Sequence, residues 1–243
     1  MKNGIIVIPT YNEIENIEVI LEKVFSLELN LNILIVDDNS PDKTHAKVQE
    51  LIDAKTYADQ LHLIIREKKE GLGKAYIEGF KWCLERDHAF IIEMDADLSH
   101  DPKYLPSFIE NIKDHDLVIG SRYVKGGGVV NWSLFRKLIS FGGSTYSRII
   151  LGISIKDVTG GFKCFRHDVL KSINLDNIMS AGYAFQIEMN YRTVLKDFKV
   201  KEVPIVFEDR IAGKSKMSKK IFIEALWNVL LLRLNRREIL NED

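Results

Sequence analysis

The sequence contains few cysteines and no long hydrophobic run. Cys83 and Cys164 are the only cysteines among 243 residues, which is too few for a disulfide framework and typical of a reducing compartment. No stretch approaches the roughly 18 consecutive apolar residues of a membrane-spanning helix. Residues 1–8 also lack the longer apolar region and cleavage site of a secretory signal. We therefore expect buried thiols, and a protein of the cytosol or of the cytosolic face of a membrane.

A large excess of one charge is also lacking, because 34 Lys and Arg nearly balance 35 Asp and Glu, with a formal net charge of -1. This balance provides no general attraction to nucleic acid, so no nucleic-acid partner is expected and anions must bind to local clusters. No repeat, low-complexity tract or proline-rich linker divides the chain. We predict one large domain over residues 1–213, followed over residues 214–243 by a basic loop and an amphipathic helix that form no independent domain.

Apolar, β-rich runs alternate with helical patterns along the chain. Thr10 or Asn12 is expected to cap the first helix, and Ser40 and Pro41 to begin the second. The four strand-helix alternations predict an α/β fold with a mostly parallel sheet and helices on both of its faces. The predicted strands lie at residues 5–8, 32–36, 61–66, 90–94, 117–123 and 203–207, with another at the end of residues 157–165.

Two carboxylates, Asp95 and Asp97, follow the buried run at residues 90–94. Open α/β sheets bind ligands at the carboxyl ends of their strands, so both acids should lie at that edge. Carboxylates so close repel one another, and Mg²⁺ or Mn²⁺ bound by one or two carboxylates and substrate phosphates would relieve the repulsion. The sequence therefore indicates a metal site and a diphosphate substrate. The alternative is a turn with two solvated acids.

Polar residues also follow two other predicted strands, at residues 9–13 and at Asp37 and Asp38. The three strand ends should share one edge of the sheet. Asp38 could instead cap the following helix, although Asp37 suits that role better. Glu93 precedes the acid pair, and we expect it to alternate away from the pair and to lie outside the site.

Together, these strand ends resemble the family-2 glycosyltransferases of the GT-A fold, and the resemblance covers nearly the whole chain. Further motifs narrow it to the polyprenyl-phosphate (dolichyl-phosphate) mannosyltransferases, in the short form without membrane domains. In chain order they are Asp-Ala-Asp-Leu-Ser-His at 95–100, Gly-Ser-Arg-Tyr at 120–123, Thr-Gly-Gly-Phe at 159–162, Gly-Tyr-x-Phe-Gln-x-Glu at 182–188, Val-Pro-Ile-x-Phe-x-Asp-Arg at 203–210 and Gly-x-Ser-Lys at 213–216.

The resemblance implies transfer of mannose from GDP-mannose to a polyprenyl phosphate, with inversion at the anomeric carbon and with Mg²⁺ or Mn²⁺ as cofactor. By the same resemblance, Pro9, Tyr11 and Glu13 bind the nucleotide, and Val36 and Asp38 lie against its base and ribose. The same fold with UDP-glucose or another nucleotide sugar is the nearest alternative. A catalytically inactive subunit that binds a nucleotide sugar is a second alternative.

Asp95, Ala96 and Asp97 match the metal and diphosphate site of the family, with the two carboxylates as metal ligands. Some relatives have a glutamine as a further metal ligand where this chain has Ser99. Ser99 is therefore expected to act through a water molecule or not at all.

Three cations, Arg122, Arg210 and Lys216, match family residues that face the diphosphate and the acceptor phosphate. Arginine suits bidentate phosphate contacts, whereas lysine acts as a point charge. A phosphate acceptor is already ionised at neutral pH, so it needs no general base. The alternatives are surface ion pairs for the arginines and a solvated face for Lys216. The residues expected to be catalytic are Asp97, Arg122, Arg210 and Lys216.

A lipid substrate would require a membrane-facing surface. Residues 132–151 place Leu134, Leu138 and Phe141 near one helical face, and residues 219–237 form a mostly apolar helix between basic ends. The second helix could pack on the domain, lie in a membrane interface or bind a partner. We expect a peripheral membrane protein, with a small membrane anchor protein as a further possible partner.

Overall fold

The computed structural model describes residues 3–180, 182–208 and 219–242, apart from the side chains at 183 and 219–225. The strands are β1 Gly4–Thr10, β2 Leu31–Asp37, β3 Leu61–Ile65, β4 Phe90–Glu93, β5 Leu117–Ser121, β6 Gly128–Val130, β7 Lys163–Arg166, β8 Val200–Pro204 and β9 Val206–Glu208. The helices are α1 Ile14–Phe25, α2 Thr44–Asp53, α3 Leu72–Leu84, α4 Leu105–Asn111, α5 Leu134–Leu151, α6 His167–Ser172, α7 Tyr183–Leu195, α8 Lys219–Leu234 and α9 Arg236–Leu240.

Seven strands form one sheet in the order β3-β2-β1-β4-β7-β5-β8, and β6 pairs with β9 in a small second sheet. All the pairs in the large sheet are parallel except those of β7, which runs antiparallel to both β4 and β5. The prediction of a mostly parallel α/β sheet is therefore confirmed. Because β7 is reversed, its first residue lies at the edge where β4 and β5 end.

Helices cover both faces of the sheet, because its central strands carry buried apolar side chains on both sides. In β1, Ile5 and Val7 point to one face, and Ile6 and Ile8 point to the other. The first face packs against α3, α6 and α7, and α8 and α9 add Val229, Leu232 and Ile239 to the same core. The second face packs against α1, α2 and α4.

The predicted helix starts in the first two loops are wrong. Thr10 donates a hydrogen bond to Asp37 at 2.7 Å, and Asn12 has a positive φ of 60°, so neither caps α1. The carboxylate of Asp42 instead accepts the N–H of Ile14 at 3.1 Å. The second helix begins at Thr44 rather than at Ser40, since residues 40–43 form a turn.

The predicted strand at residues 203–207 is divided between the two sheets. The N–H of Ile205 donates to Ser121 in the large sheet at 3.1 Å, and its carbonyl accepts from Gly128 in the small sheet at 3.0 Å. Ile205 therefore marks the point at which the chain leaves one sheet for the other.

Within the described residues, no helix combines the length and the apolar composition needed to cross a bilayer.

Both cysteines are free and fully buried, as predicted for structural thiols. Burial raises the pKa of Cys83 to about 12 and raises that of Cys164 well above its usual value. We expect neither thiol to react with Ellman's reagent at pH 8 in the native protein, and both to react in denaturant. A fast-reacting thiol in the native state would contradict this packing.

Candidate active site

The three predicted strand ends lie side by side at one edge of the sheet. Thr10 at the end of β1 is in register with Asp37 at the end of β2, and Val7 is in register with Glu93 at the end of β4. The reversed strand β7 brings the loop at residues 157–162 to the same edge. The strand order thus places the loops after β1, β2, β4 and β5 at this one edge.

Asp95 is held from two sides. The hydroxyl of Tyr76, a buried residue of α3, donates to its Oδ1 at 3.1 Å. Its own N–H donates to Nδ1 of His100 at 3.0 Å, so the proton of a neutral His100 ring lies on Nε2, which is 3.9 Å from Asp95 Oδ2. Burial, and next the negative charge of Asp95, raises the pKa of Tyr76 well above its usual value. Tyr76 therefore remains a hydrogen-bond donor at neutral pH.

Asp97 closes a tight turn after the strand. Its Oδ1 accepts from the N–H of Ser99 at 3.0 Å and from the Ser99 hydroxyl at 2.5 Å, and Leu98 between them has a positive φ of 64°. A positive φ is unusual for leucine, so this turn is fixed by its surroundings. Ser99 is buried and its hydroxyl binds Asp97, so it stabilises the turn. Ala96 is buried in the core, which leaves its main chain at the edge.

The two half-buried carboxylates offer only oxygen ligands, the type that Mg²⁺ and Mn²⁺ prefer. Within the described part of the chain, no group of three or more His, Cys, Asp or Glu side chains is arranged to hold a metal. Asp95 and Asp97 therefore suit an ion that takes its remaining ligands from substrate phosphates and water, and they do not form a complete protein cage.

The acids at the end of β2 have different surroundings. Asp37 is fully buried and accepts from Thr10 and from the backbone and side chain of Ser40, so it stabilises the turn. Asp38 does not cap a helix but forms an ion pair with Arg66, which also binds Glu78 at 2.9 Å and Glu70 at 3.1 Å. Burial raises the pKa of Asp38, although the Arg66 guanidinium opposes the shift.

Arg66 joins three segments, so its replacement should have a large effect on stability. We expect Arg66→Met to lower the free energy of unfolding by about 3 kcal/mol, because it leaves the buried Asp38 without its cation. Urea denaturation measures this loss. Lys68→Met is the matched control, since Lys68 is exposed and pairs with Glu70 at only 3.5 Å. Equal effects of the two substitutions would contradict the role given to Arg66.

The other residues matched to nucleotide binding lie near this loop. Lys69 Nζ lies 3.5 Å from the centre of the Tyr11 ring, and the main-chain N–H of Glu13 donates to Thr44 at 3.1 Å. Pro9 is half-buried at the end of β1. Val36 is fully buried, and its side chain lies in the core.

Arg122 follows β5 and is almost entirely buried. Its Nε and Nη2 bind both oxygens of Asp157 at 2.7 and 2.6 Å, and Nη2 also donates to Thr159 at 2.8 Å. Glu202 of β8 in turn accepts the N–H of Asp157 at 2.9 Å. Arg122 is therefore part of a buried, oriented ion pair and does not form an exposed surface pair.

Aromatic rings connect this arginine to the acid pair. The Arg122 guanidinium lies 5.7 Å from the ring centre of Phe207, and the same ring contacts His100 edge-on at 6.0 Å. Since His100 binds Asp95, these side chains form one series of packed contacts from Arg122 to the acid pair. Arg210 and Lys216, the other predicted cations, lie outside the described residues.

Three residues at or beneath this edge were missed by the sequence analysis, because their partners are distant in sequence and no local pattern marks them. They are Arg66, Tyr76 and Asp157. His100 lies in the Asp-Ala-Asp-Leu-Ser-His motif, and its hydrogen bond with Asp95 spans only five residues. Glu93 is fully buried, and its exclusion from the site stays a prediction.

Comparison with known proteins agrees with this geometry. The model of glycosyl transferase family 2 matches residues 5–173. The chain is 46% identical over 224 residues to the undecaprenyl-phosphate mannosyltransferase of Micrococcus luteus, covering 92% of this chain and 90% of that protein. It is 44% identical over 226 residues to the polyprenol monophosphomannose synthase of Mycolicibacterium smegmatis, covering 93% of this chain and 84% of that protein.

Solved structures give the fold. Glucosyl-3-phosphoglycerate synthase from Mycobacterium tuberculosis, in complex with Mn²⁺, UDP and glucosyl-3-phosphoglycerate, matches with a TM-score of 0.66 at 16% identity, covering 97% of this chain and 80% of that one. The same enzyme with Mg²⁺ and UDP matches with a TM-score of 0.64. The architecture is the GT-A fold that the sequence resemblance implied. The chain therefore belongs to glycosyl transferase family 2.

Proposed function

We propose that the protein transfers mannose from GDP-mannose to a polyprenyl phosphate, with inversion at the anomeric carbon. The observation that supports this most is the 46% identity, over 92% of the chain, to a protein named undecaprenyl-phosphate mannosyltransferase. The site agrees chemically, since it combines a carboxylate pair at a strand end with an oriented arginine that is connected to it through Phe207 and His100. Lipid-linked mannose would be the product.

The donor would bind along the edge formed by β1, β2 and β4. Tyr11 and Asp38 would contact the nucleoside, with Pro9, Glu13 and the main chain of Val36 beside them. Asp95 and Asp97, with Ala96 between them, would bind Mg²⁺ or Mn²⁺ against the diphosphate. The metal, when bound, would neutralise the charge that develops on the departing GDP, which contributes several kcal/mol in comparable sites.

The acceptor would be held by cations. An ionised phosphate needs no proton removed, so the protein has only to hold two anionic reactants together and to stabilise the leaving group. Arg122 is preorganised for this by Asp157 and Thr159, because fixed charges need no rearrangement during the reaction. Arg210 and Lys216 remain proposed cations for the same step.

Helix α5 offers a surface for the lipid. Five of its large apolar side chains face outward, whereas Leu151 at its end and the small polar residues Ser144 and Ser147 are buried. An exposed apolar face is the reverse of what a helix that packs in a core shows. The exposed side chains are Leu134 at 78%, Phe135 at 72%, Leu138 at 70%, Phe141 at 55% and Ile149 at 74%. We propose that this face lies in a membrane interface, at the cytosolic side, where the exposed Lys137 would favour anionic lipid.

A donor assay tests the proposed reaction. Purified protein is given polyprenyl phosphate, Mn²⁺ or Mg²⁺, and either GDP-mannose or UDP-glucose, and lipid-linked sugar and free nucleotide are measured. We expect product from GDP-mannose, at least a hundredfold more than from UDP-glucose, and none after chelation of the metal.

Two outcomes would contradict the proposal. Preference for UDP-glucose would assign another nucleotide sugar to the same fold. Binding of GDP-mannose and Mn²⁺ without any lipid-linked sugar, over a range of polyprenyl chain lengths, would indicate an inactive nucleotide-sugar-binding subunit.

A further inference from the structure

A lysine and a glutamate face each other inside the protein, directly behind the acid pair. Glu93 is the last residue of β4, and it is in register with Lys163, the first residue of the antiparallel strand β7. Both side chains are fully buried. Buried charges are costly unless they are paired, so the location of this pair requires an explanation.

The lysine is bound to helix α7 as well as facing β4. Its Nζ donates to the main-chain oxygen of Gln186 at 3.0 Å and also to the side-chain Oε1 of Gln186. Neither carboxylate oxygen of Glu93 has a hydrogen-bond partner of good geometry among the described residues. The positive charge of Lys163 offsets part of the cost of burying the Glu93 carboxylate.

The first turn of α7 supports Tyr76, one of the two groups that hold Asp95. Phe185 stacks parallel to Tyr76, with ring centres 6.0 Å apart. Tyr76 in turn donates a hydrogen bond to Asp95 at 3.1 Å. The same turn also lies near His100, because the space beside Gly161 is bordered by His100 Cε1 and by Gln186 Nε2, which lie 3.4 and 3.5 Å from the position of a Cβ atom on that glycine.

We propose that Lys163 is a positioning residue for the acid pair. By facing Glu93 on β4 and binding Gln186 on α7, it fixes the end of β4 against the helix whose first turn supports Tyr76, which binds Asp95. It thereby sets the orientation of Asp95 toward a metal-bound nucleoside diphosphate. This inference rests on the proposed function, because it assumes that Asp95 binds such a ligand.

A double substitution separates positioning from simple stability. Glu93→Gln with Lys163→Met removes both buried charges, so no uncompensated charge remains and the ligand-free protein should unfold close to the wild-type temperature. The link from β4 to α7 is nevertheless lost. On addition of Mn²⁺ and GDP, the unfolding temperature of the double variant should rise less than that of the wild-type protein. The difference should correspond to at least tenfold weaker binding, and the KM for the donor should rise to match.

Phe165→Leu is the matched control. Phe165 is buried on the same strand and the same face as Lys163, two residues away, but contacts Phe80 rather than the acid pair. This variant should lose stability and keep the full response to Mn²⁺ and GDP. If the double variant does not fold, Gln186→Met removes the side-chain acceptor of Lys163 and should weaken ligand binding in the same way.

The inference would be overturned if Mn²⁺ and GDP raised the unfolding temperature of the folded double variant as much as that of the wild-type protein. Where the double variant does not fold, the same result with Gln186→Met would overturn it. An equal loss of response in Phe165→Leu would also overturn it, because general destabilisation would then suffice. A wild-type protein that responds to no nucleoside diphosphate with Mn²⁺ would instead overturn the proposed function on which the inference rests.

Discussion

Replacing Asp97 with asparagine should lower the rate of sugar transfer about a thousandfold, equivalent to about 4 kcal/mol of transition-state stabilisation. This substitution removes the negative charge of the carboxylate that would bind the metal. The turn should persist, because the asparagine oxygen can still accept from the N–H and hydroxyl of Ser99. Turnover with saturating donor, measured beside urea denaturation, tests both parts of the expectation.

Asp101→Asn is the control for this substitution. Asp101 lies four residues further along the chain, pairs with the exposed Lys103 at 2.7 Å, and accepts the Lys103 N–H at 3.0 Å, as an asparagine could. We expect its rate to stay within about twofold of wild type, since an exposed pair contributes little. Equal rates for the two variants would remove Asp97 from the metal site.

Replacing Arg122 with methionine should lower the free energy of unfolding by about 3 to 5 kcal/mol and abolish transfer. The loss of stability follows because Asp157, which is fully buried, would keep its charge without a guanidinium beside it. Adding Asp157→Asn to the same protein removes that second charge. The double variant should recover most of the stability but none of the activity.

Stability comes from denaturant titration and activity from formation of lipid-linked sugar. Recovery of activity in the double variant would show that Arg122 is needed only to neutralise Asp157. A stability loss below about 1 kcal/mol in the single variant would indicate that the pair is effectively solvent-exposed. Either result would contradict a preorganised cation.

The strands that form the site could be predicted because their signals are local. Residues 5–8, 32–36 and 90–94 are short, apolar and β-rich, and each is followed by polar residues, so the edge that they share followed from parallel α/β geometry. The helix starts could not be predicted in the same way. Asp42 caps α1 from 28 residues further along the chain. The hydroxyls of Thr10 and Ser40, which were predicted to cap helices, donate hydrogen bonds to Asp37 instead.

Partners distant in sequence account for most of what was missed. Nothing in the sequence pairs Arg66 with Asp38, or Arg122 with Asp157, because these contacts depend on strand order. The reversal of β7 was also absent from the prediction, although it places Lys163 opposite Glu93. Helix α5 was correctly located, but only its packing shows that the apolar side chains face outward.

Binding of Mn²⁺ tests the central claim most directly. Free Mn²⁺ is titrated by electron paramagnetic resonance against the wild-type protein and against Asp95→Asn with Asp97→Asn, in each case with and without GDP. Because two carboxylates form an incomplete site, the wild-type protein should bind one ion tightly only when GDP is present, and the double variant should bind none. Equal, GDP-dependent uptake by both proteins would contradict the assignment of these carboxylates to the metal.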